Sequence, residues 1–222
     1  MGIPVLIIGE SGSGKTYAIK NLDPEKVGIF LCEKNRLPFR KQFKPYKVRN
    51  FKRIDESNRE QTIRQSVVIQ TMLLKPKAPK KIYVIDDSQY IMANEFFDRA
   101  GETGYQKFVD IGANFRNLVH VVNDQLADDV IVYFLHHPET DSNTGKQKAK
   151  TIGRMLDEKL TLEGCFDIVL HARTDGAEHW FSTQSDGTDT AKSPEEMFEP
   201  KIPNDLALVD RTIREYYGME AV

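Results

Sequence analysis

Short apolar runs separated by polar stretches set the rhythm of this chain. Residues 3–8 (IPVLII), 27–32 (VGIFLC), 82–86 (IYVID) and 130–135 (VIVYFL) are each too short for a helix. They predict strands buried on both faces. Between them the pattern changes period. A short helix is expected from about Gly14 to Asn21, where Asp23-Pro24 breaks it. Residues 57–74 (SNREQTIRQSVVIQTMLL) predict a helix, with Ser57 as cap and Glu60 closing a capping box. Helices are also expected over 88–100, 105–126 and 152–160, and a last one follows Asn204-Asp205 and ends near Tyr217, before Gly218. Residues 166–172 and 178–184 predict two strands, antiparallel across a turn at Asp175-Gly176. Residues 34–53 and 136–151 lack an apolar period and are expected to be irregular, and 75–81 (KPKAPKK) a solvated loop.

Strands alternating with helices mean an α/β fold with a mainly parallel sheet flanked by helices. The last strand pair adds a C-terminal antiparallel hairpin at one edge. No repeat or linker interrupts the chain, so one domain over 1–222 is expected.

Composition narrows this only slightly. Of 222 residues 40% are hydrophobic and 29% charged, which suits a globular protein with a real core. The net charge of -2 means that nucleic-acid binding would have to come from local patches. The two cysteines, Cys32 and Cys165, fall in apolar runs and are expected to be buried free thiols. No run approaches the ~20 apolar residues of a membrane span, and none resembles a secretory signal. A cytoplasmic protein with no membrane partner is expected.

The chemistry enters at residues 9–16, GESGSGKT. Gly9-x-x-x-x-Gly14-Lys15-Thr16 follows a strand and opens a helix, the context a phosphate loop requires. Glycines let the backbone N–H groups converge on a phosphate, and the helix N-terminus adds positive potential. Residues Gly9, Glu10, Ser11, Gly12, Ser13, Gly14, Lys15, Thr16 and Tyr17 are therefore the expected nucleotide site. Lys15 would reach the β- and γ-phosphates, and the Thr16 hydroxyl would ligate Mg²⁺. Asp86, delivered to the carboxyl end of the third strand, is the expected metal partner, and Asp87 either positions water or caps the next helix. The water-activating group is Asp87 or Glu33, the latter at the carboxyl end of the second strand in FLCEKNRLP.

Taken together these motifs resemble the RecA-like recombinase core. CEKNRLP is similar to the family's segment carrying the catalytic acid, which raises Glu33 over Asp87 as general base. IDDSQYI is similar to its metal-binding strand, with the register open between Asp86 and Asp87. VIVYFLHHPETDSNTGKQKAKTIGRML looks like a strand ending in a polar sensor, His136, followed by a DNA-contacting loop over 138–151. TAKSPEEMF resembles a segment of the small phage-encoded ATPases of single-strand annealing, which are reduced to this core. The resemblance implies ATP with Mg²⁺, a homo-oligomeric ring or filament with ATP between subunits, single-stranded DNA as partner, a single-strand binding protein as a further one, and the host-cell cytoplasm. Lys192 is the candidate cation acting on a neighbour's nucleotide, ahead of Arg173 and Arg154.

Read for themselves, residues 34–53 interleave Phe39, Phe43, Tyr46 and Phe51 with basic residues, among them Arg40, Lys41 and Lys44. That mixture suits a single-stranded backbone with stacked bases, or an aromatic loop packed on the core under a solvated rim. Lys146, Lys148, Lys150 and Arg154 add the second basic group, with Gly145 as a bend. His136 and His137 point to opposite faces, no cysteine pair has zinc spacing, and His171, His179 and Trp180 are expected to be structural. Two rival functions remain open: a small-molecule or nucleoside kinase, and a slowly hydrolysing nucleotide switch.

Overall fold

The computed structural model describes residues 1–34, 36–40, 43–152 and 161–222. Along the chain run β1 (Ile3–Ile8), a short 3-10 helix (Tyr17–Asn21), β2 (Val27–Leu31), β3 (Tyr46–Lys47), β4 (Phe51–Ile54), β5 (Glu60–Ile63) and α1 (Gln65–Leu74). Then come β6 (Ile82–Asp86), α2 (Gln89–Asp98), α3 (Gln106–Gln125), β7 (Ile131–His136), β8 (Pro138–Thr140) and β9 (Gln147–Ala149). A 3-10 turn (Leu162–Cys165), β10 (Ile168–Thr174), β11 (His179–Ser182), β12 (Lys201–Pro203) and α4 (Leu206–Tyr216) complete the described elements.

Eight strands form one sheet in the order β12-β11-β10-β1-β7-β6-β2-β3. The six from β10 to β3 are parallel, whereas β11 and β12 run antiparallel at one edge. Alternating side chains build a core on each face. Leu6, Ile8, Ile85 and Phe134 pack with Ile69, Ile91 and Phe115 of α1–α3. Val5, Ile7, Val84 and Leu135 pack with Ile19 and with Leu206, Val209 and Ile213 of α4. Strands covered on both sides read as continuous apolar runs, which is why their sequences announce them. At the amino ends of the strands, buried Arg214 fastens α4. It donates to Asp210 (2.7 Å) and to the carbonyls of Asp129 (3.0 Å) and Lys81 (3.2 Å), while Tyr133 donates to Asp210 (3.1 Å). No helix among the described residues is long and apolar enough to cross a membrane.

Several expectations are corrected. The helix read over 57–74 begins only at Gln65, because residues 60–63 form β5, paired antiparallel with β4. The Asp55 carboxylate takes the N–H groups of Ser57 and Arg59 (both 2.9 Å), closing a hairpin turn through Asn58 at φ 58°. That turn replaces the capping box, and Glu60 pairs with Lys52 across the strands instead. The irregular stretch 136–151 contains a second hairpin, β8–β9. Its Asp141 side chain holds the N–H groups of Asn143 and Thr144 (both 2.9 Å). The short edge strand β12 had no signal in the sequence. Asp205 caps α4 by accepting from the N–H of Ala207 (2.9 Å), as expected. Cys32 is buried and Cys165 partly so, both as free thiols. The helix expected over 152–160 lies almost wholly outside the described residues.

Candidate functional site

The carboxyl ends of β1, β2 and β6 and the turn after β7 open on a cleft of about 600 Å³, lined among others by Lys15, Thr16, Glu33, Lys34, Asp87 and His137. Exposed Glu10, Ser11, Gly12 and Tyr17 form its loop wall. Gly12 (φ 84°) and Gly14 (φ 93°) are left-handed, a conformation that glycine adopts without steric cost. Gly14 has a second reason to be glycine. A Cβ there would stand 2.1 Å from Asn204 Nδ2 and 3.0 Å from His179 Nδ1. Both residues cover the loop, with Asn204 Nδ2 donating to the Ser13 carbonyl (3.4 Å) and His179 Nδ1 3.1 Å from that oxygen. Gly9 is closed in equally, with Ser13 Oγ and Ala172 inside contact distance of any added Cβ.

Lys15 is buried and donates to the carbonyls of Gly9 (2.5 Å) and Glu10 (2.9 Å). Burial, helped by the nearby Lys34 charge, lowers its pKa to about 8. The Thr16 hydroxyl donates to Asp86 Oδ1 at 2.8 Å. The other oxygen of that carboxylate is buried with no hydrogen-bond partner among the described residues. Burial and the adjacent Asp87 charge push the Asp86 carboxyl up to about 6. An orphaned carboxylate oxygen beside a threonine hydroxyl is a hard-oxygen pair that fits Mg²⁺.

Asp87 differs although it is the next residue. Its backbone is left-handed (φ 58°), an uncommon and mildly costly conformation that turns the chain out of β6. Its carboxylate faces Lys34 (3.2 Å) and His137 (3.3 Å). Burial pushes this carboxyl up, but the His137 hydrogen bond and the Lys34 charge outweigh it and hold the group below the ordinary aspartate value. Asp87 does not use its side chain to cap α2.

Glu33 is exposed in the cleft and its side chain has no partner among the described residues. Its backbone, however, is tightly held. Arg49 donates to the carbonyls of Leu31 (2.9 Å), Cys32 (3.0 Å), Val48 (2.7 Å) and Glu33 (2.5 Å), and Gln65 Nε2 to those of Cys32 (2.8 Å) and Val48 (2.6 Å).

His136 ends β7 fully buried, its Nε2 donating to the Lys150 carbonyl (2.8 Å) and its Nδ1 facing the Ser88 hydroxyl (2.9 Å). Burial lowers its pKa to about 4, so the ring is neutral. It therefore ties the turn after Asp87 to the end of the β8–β9 hairpin. That hairpin is tied elsewhere as well. The buried Glu163 carboxylate accepts from the Ala149 N–H (2.7 Å), Arg173 donates to Gln147 (2.9 Å), and the Gln147 N–H donates to the Thr188 carbonyl (2.8 Å).

The remaining predicted residues are scattered. Arg40 and Lys44 are exposed, and Lys41 lies outside the described residues. Phe39 and Phe43 pack edge to face (5.6 Å) against the core, whereas Tyr46 and Phe51 are exposed. Lys146 and Lys150 are exposed, while Lys148 is paired with Glu139 and Asp141 (both 3.4 Å). Arg154 lies outside the described residues. Lys192 is exposed beside β10, where its backbone exchanges two hydrogen bonds with Val169, and it does not line the cleft of its own chain. Arg173 is engaged by Asp189 and Gln147, which weakens it as a cation for a neighbour.

Sequence reasoning missed Lys34, Arg49, His137, His179 and Asn204 as parts of this site. Only Lys34 and His137 carried a signal, each directly following a residue already singled out. The others arrive from elements whose neighbourhood only the topology reveals. Comparison of the chain with protein-family models finds no matching model, and comparison with curated proteins finds no match.

Proposed function

We propose that the chain is a RecA-like phosphate-loop ATPase that binds single-stranded DNA and promotes annealing or recombination as an oligomer. One observation carries the reading. The Thr16 hydroxyl and the Asp86 carboxylate meet at 2.8 Å at the foot of a glycine loop, with one carboxylate oxygen unsatisfied. Thr16 and Asp86 would hold Mg²⁺, which neutralises charge on the terminal phosphates when bound. Lys15 leaves the loop carbonyls for the β- and γ-phosphates. Glu33, without a side-chain partner among the described residues and on a turn fixed by Arg49, orients and deprotonates the attacking water. Asp87, committed to Lys34 and His137, is less available for that task.

The DNA reading draws support from the hairpin. Lys146 and Lys150 are exposed on it, and its last carbonyl is bonded to His136 beside the phosphate site. Oligomerisation is the reading under which exposed Lys192, remote from its own cleft, serves a neighbour's nucleotide. A kinase remains the second reading because Arg36 also lines the cleft, where it could clamp a transferred phosphate.

The test is ATP hydrolysis with and without single-stranded DNA at two salt concentrations. Turnover should rise with DNA, fade with salt as phosphate contacts are screened, and vanish in Lys15→Ala with the fold intact. In Glu33→Gln, ATP should still bind while hydrolysis stops. A rate indifferent to DNA, with phosphate passed to an acceptor other than water, would establish the kinase.

A further inference from the structure

The Lys34 ammonium stands 3.3 Å from Thr16 Oγ1 and 3.2 Å from each oxygen of Asp87. Thr16 spends its proton on Asp86, so it turns a lone pair toward Lys34, the same lone pair a metal would use. Asp87 is 2% exposed and Lys34 48%, so the lysine reaches in from the mouth of the cleft onto buried oxygens. The other lysine of the site, Lys15, is committed to the loop carbonyls.

We infer that Lys34 is a tethered cation that holds the metal position until a metal–nucleotide complex takes it over, making metal binding conditional on nucleotide. The inference rests on the nucleotide reading above. A divalent ion within ligand distance of Thr16 Oγ1 cannot share that oxygen with an ammonium, because ion and lysine repel at such range. A bare metal ion would have to strip Lys34 of its partners and offers it none. A nucleotide brings its terminal phosphate, an anion in the cleft that Lys34 already lines. The lysine then exchanges one anion for another, and the metal enters at little cost.

The experiment uses the full chain and Mn²⁺, with free ion read by electron paramagnetic resonance and nucleotide by a fluorescent ATP analogue. Without nucleotide, Lys34→Met and Lys34→Gln should bind Mn²⁺ at least about tenfold more tightly than the wild type, since a positive charge has left the site. Lys34→Arg should behave as the wild type, and adding Asp87→Asn to Lys34→Met should remove the gain. With nucleotide, the factor by which the analogue tightens Mn²⁺ binding should fall at least about tenfold in the two neutral variants. Unchanged Mn²⁺ affinity in both folded neutral variants overturns the inference. If the wild type binds no nucleotide, the nucleotide reading fails, and the metal-alone arm still decides the role of Lys34.

Discussion

Two small antiparallel hairpins leave the main sheet, and they are built differently. In β4–β5 every residue but Ile63 is exposed, and the strands are joined by their own ladder and an exposed Lys52–Glu60 pair. A lone two-stranded ribbon of this kind is marginal in water. The β8–β9 hairpin is shorter, yet Pro138 and Ala149 are buried, and four side chains or backbone groups from elsewhere hold it. What separates them is where their hydrogen bonds lead. Among the described residues, those of β4–β5 end in itself. Those of β8–β9 run through Glu163, Arg173 and His136 to the core and to the edge of the candidate cleft. Position in the network, more than length or strand count, decides which hairpin can answer to the site.

The largest expected effect comes from cutting the buried end of this network. Glu163→Ala leaves the Ala149 N–H unpaired and removes a partner of Thr190, costing about 2–3 kcal/mol. For a chain of this size that is a drop of roughly 5–10 °C in melting temperature, read by calorimetry. A smaller drop would mean that the hairpin is held mainly by its own ladder, like β4–β5.

Acidification tests the same link through His136. Its pKa in the folded chain, about 4, lies below the ordinary 6.5, so between those values the unfolded chain binds the extra proton and stability falls as pH falls. From pH 7 to 5 this loses about 2 kcal/mol. Asp86 works the other way. Its pKa rises from 3.8 to about 6, so the folded chain takes up the proton in that window and regains about 1 kcal/mol. The histidine wins, and His136→Gln should shallow the fall in melting temperature measured between pH 7 and 5.

Amide exchange sharpens the contrast directly. ATP with Mg²⁺ should slow exchange in residues 147–150 by about tenfold or more and leave 51–63 unchanged, followed by mass spectrometry. A response confined to 51–63 would reverse the assignment. The smallest effect belongs to Lys52→Ala, which should leave the melting temperature unmoved because both members of the pair are solvated.

The same contrast explains what could be read from the chain. The central strands were legible because burial on both faces leaves no room for polar residues, and α3 and α4 because their apolar periods are strong. The glycine loop was legible as a loop because its signal is local to eight residues, Gly9 to Thr16. Residues 57–63 misled because a cap signature and a hairpin turn use the same polar residues, and only the Asp55 turn decides between them. The β8–β9 hairpin was illegible because its stability comes from Glu163 and Arg173, distant in sequence. Among the residues of the candidate site, the meeting of Thr16 with Asp86 was foreshadowed by the motifs, with the register open to Asp87, whereas Arg49 and Asn204 arrive from segments that carry no signal for it.

The cover over Gly14 also sets an order of events during folding. The strand before the glycine loop, β1, lies between β7 and β10, and the loop is shut by His179 and Asn204. Those two residues reach the Ser13 carbonyl across sequence separations of 166 and 191 residues. Contacts that span so much chain form late, because the entropy of closing the intervening loop is spent before they reward it. The glycine loop is therefore a local motif that acquires its final walls only from remote segments, and any ligand that needs those walls can steady the finished fold but not start it.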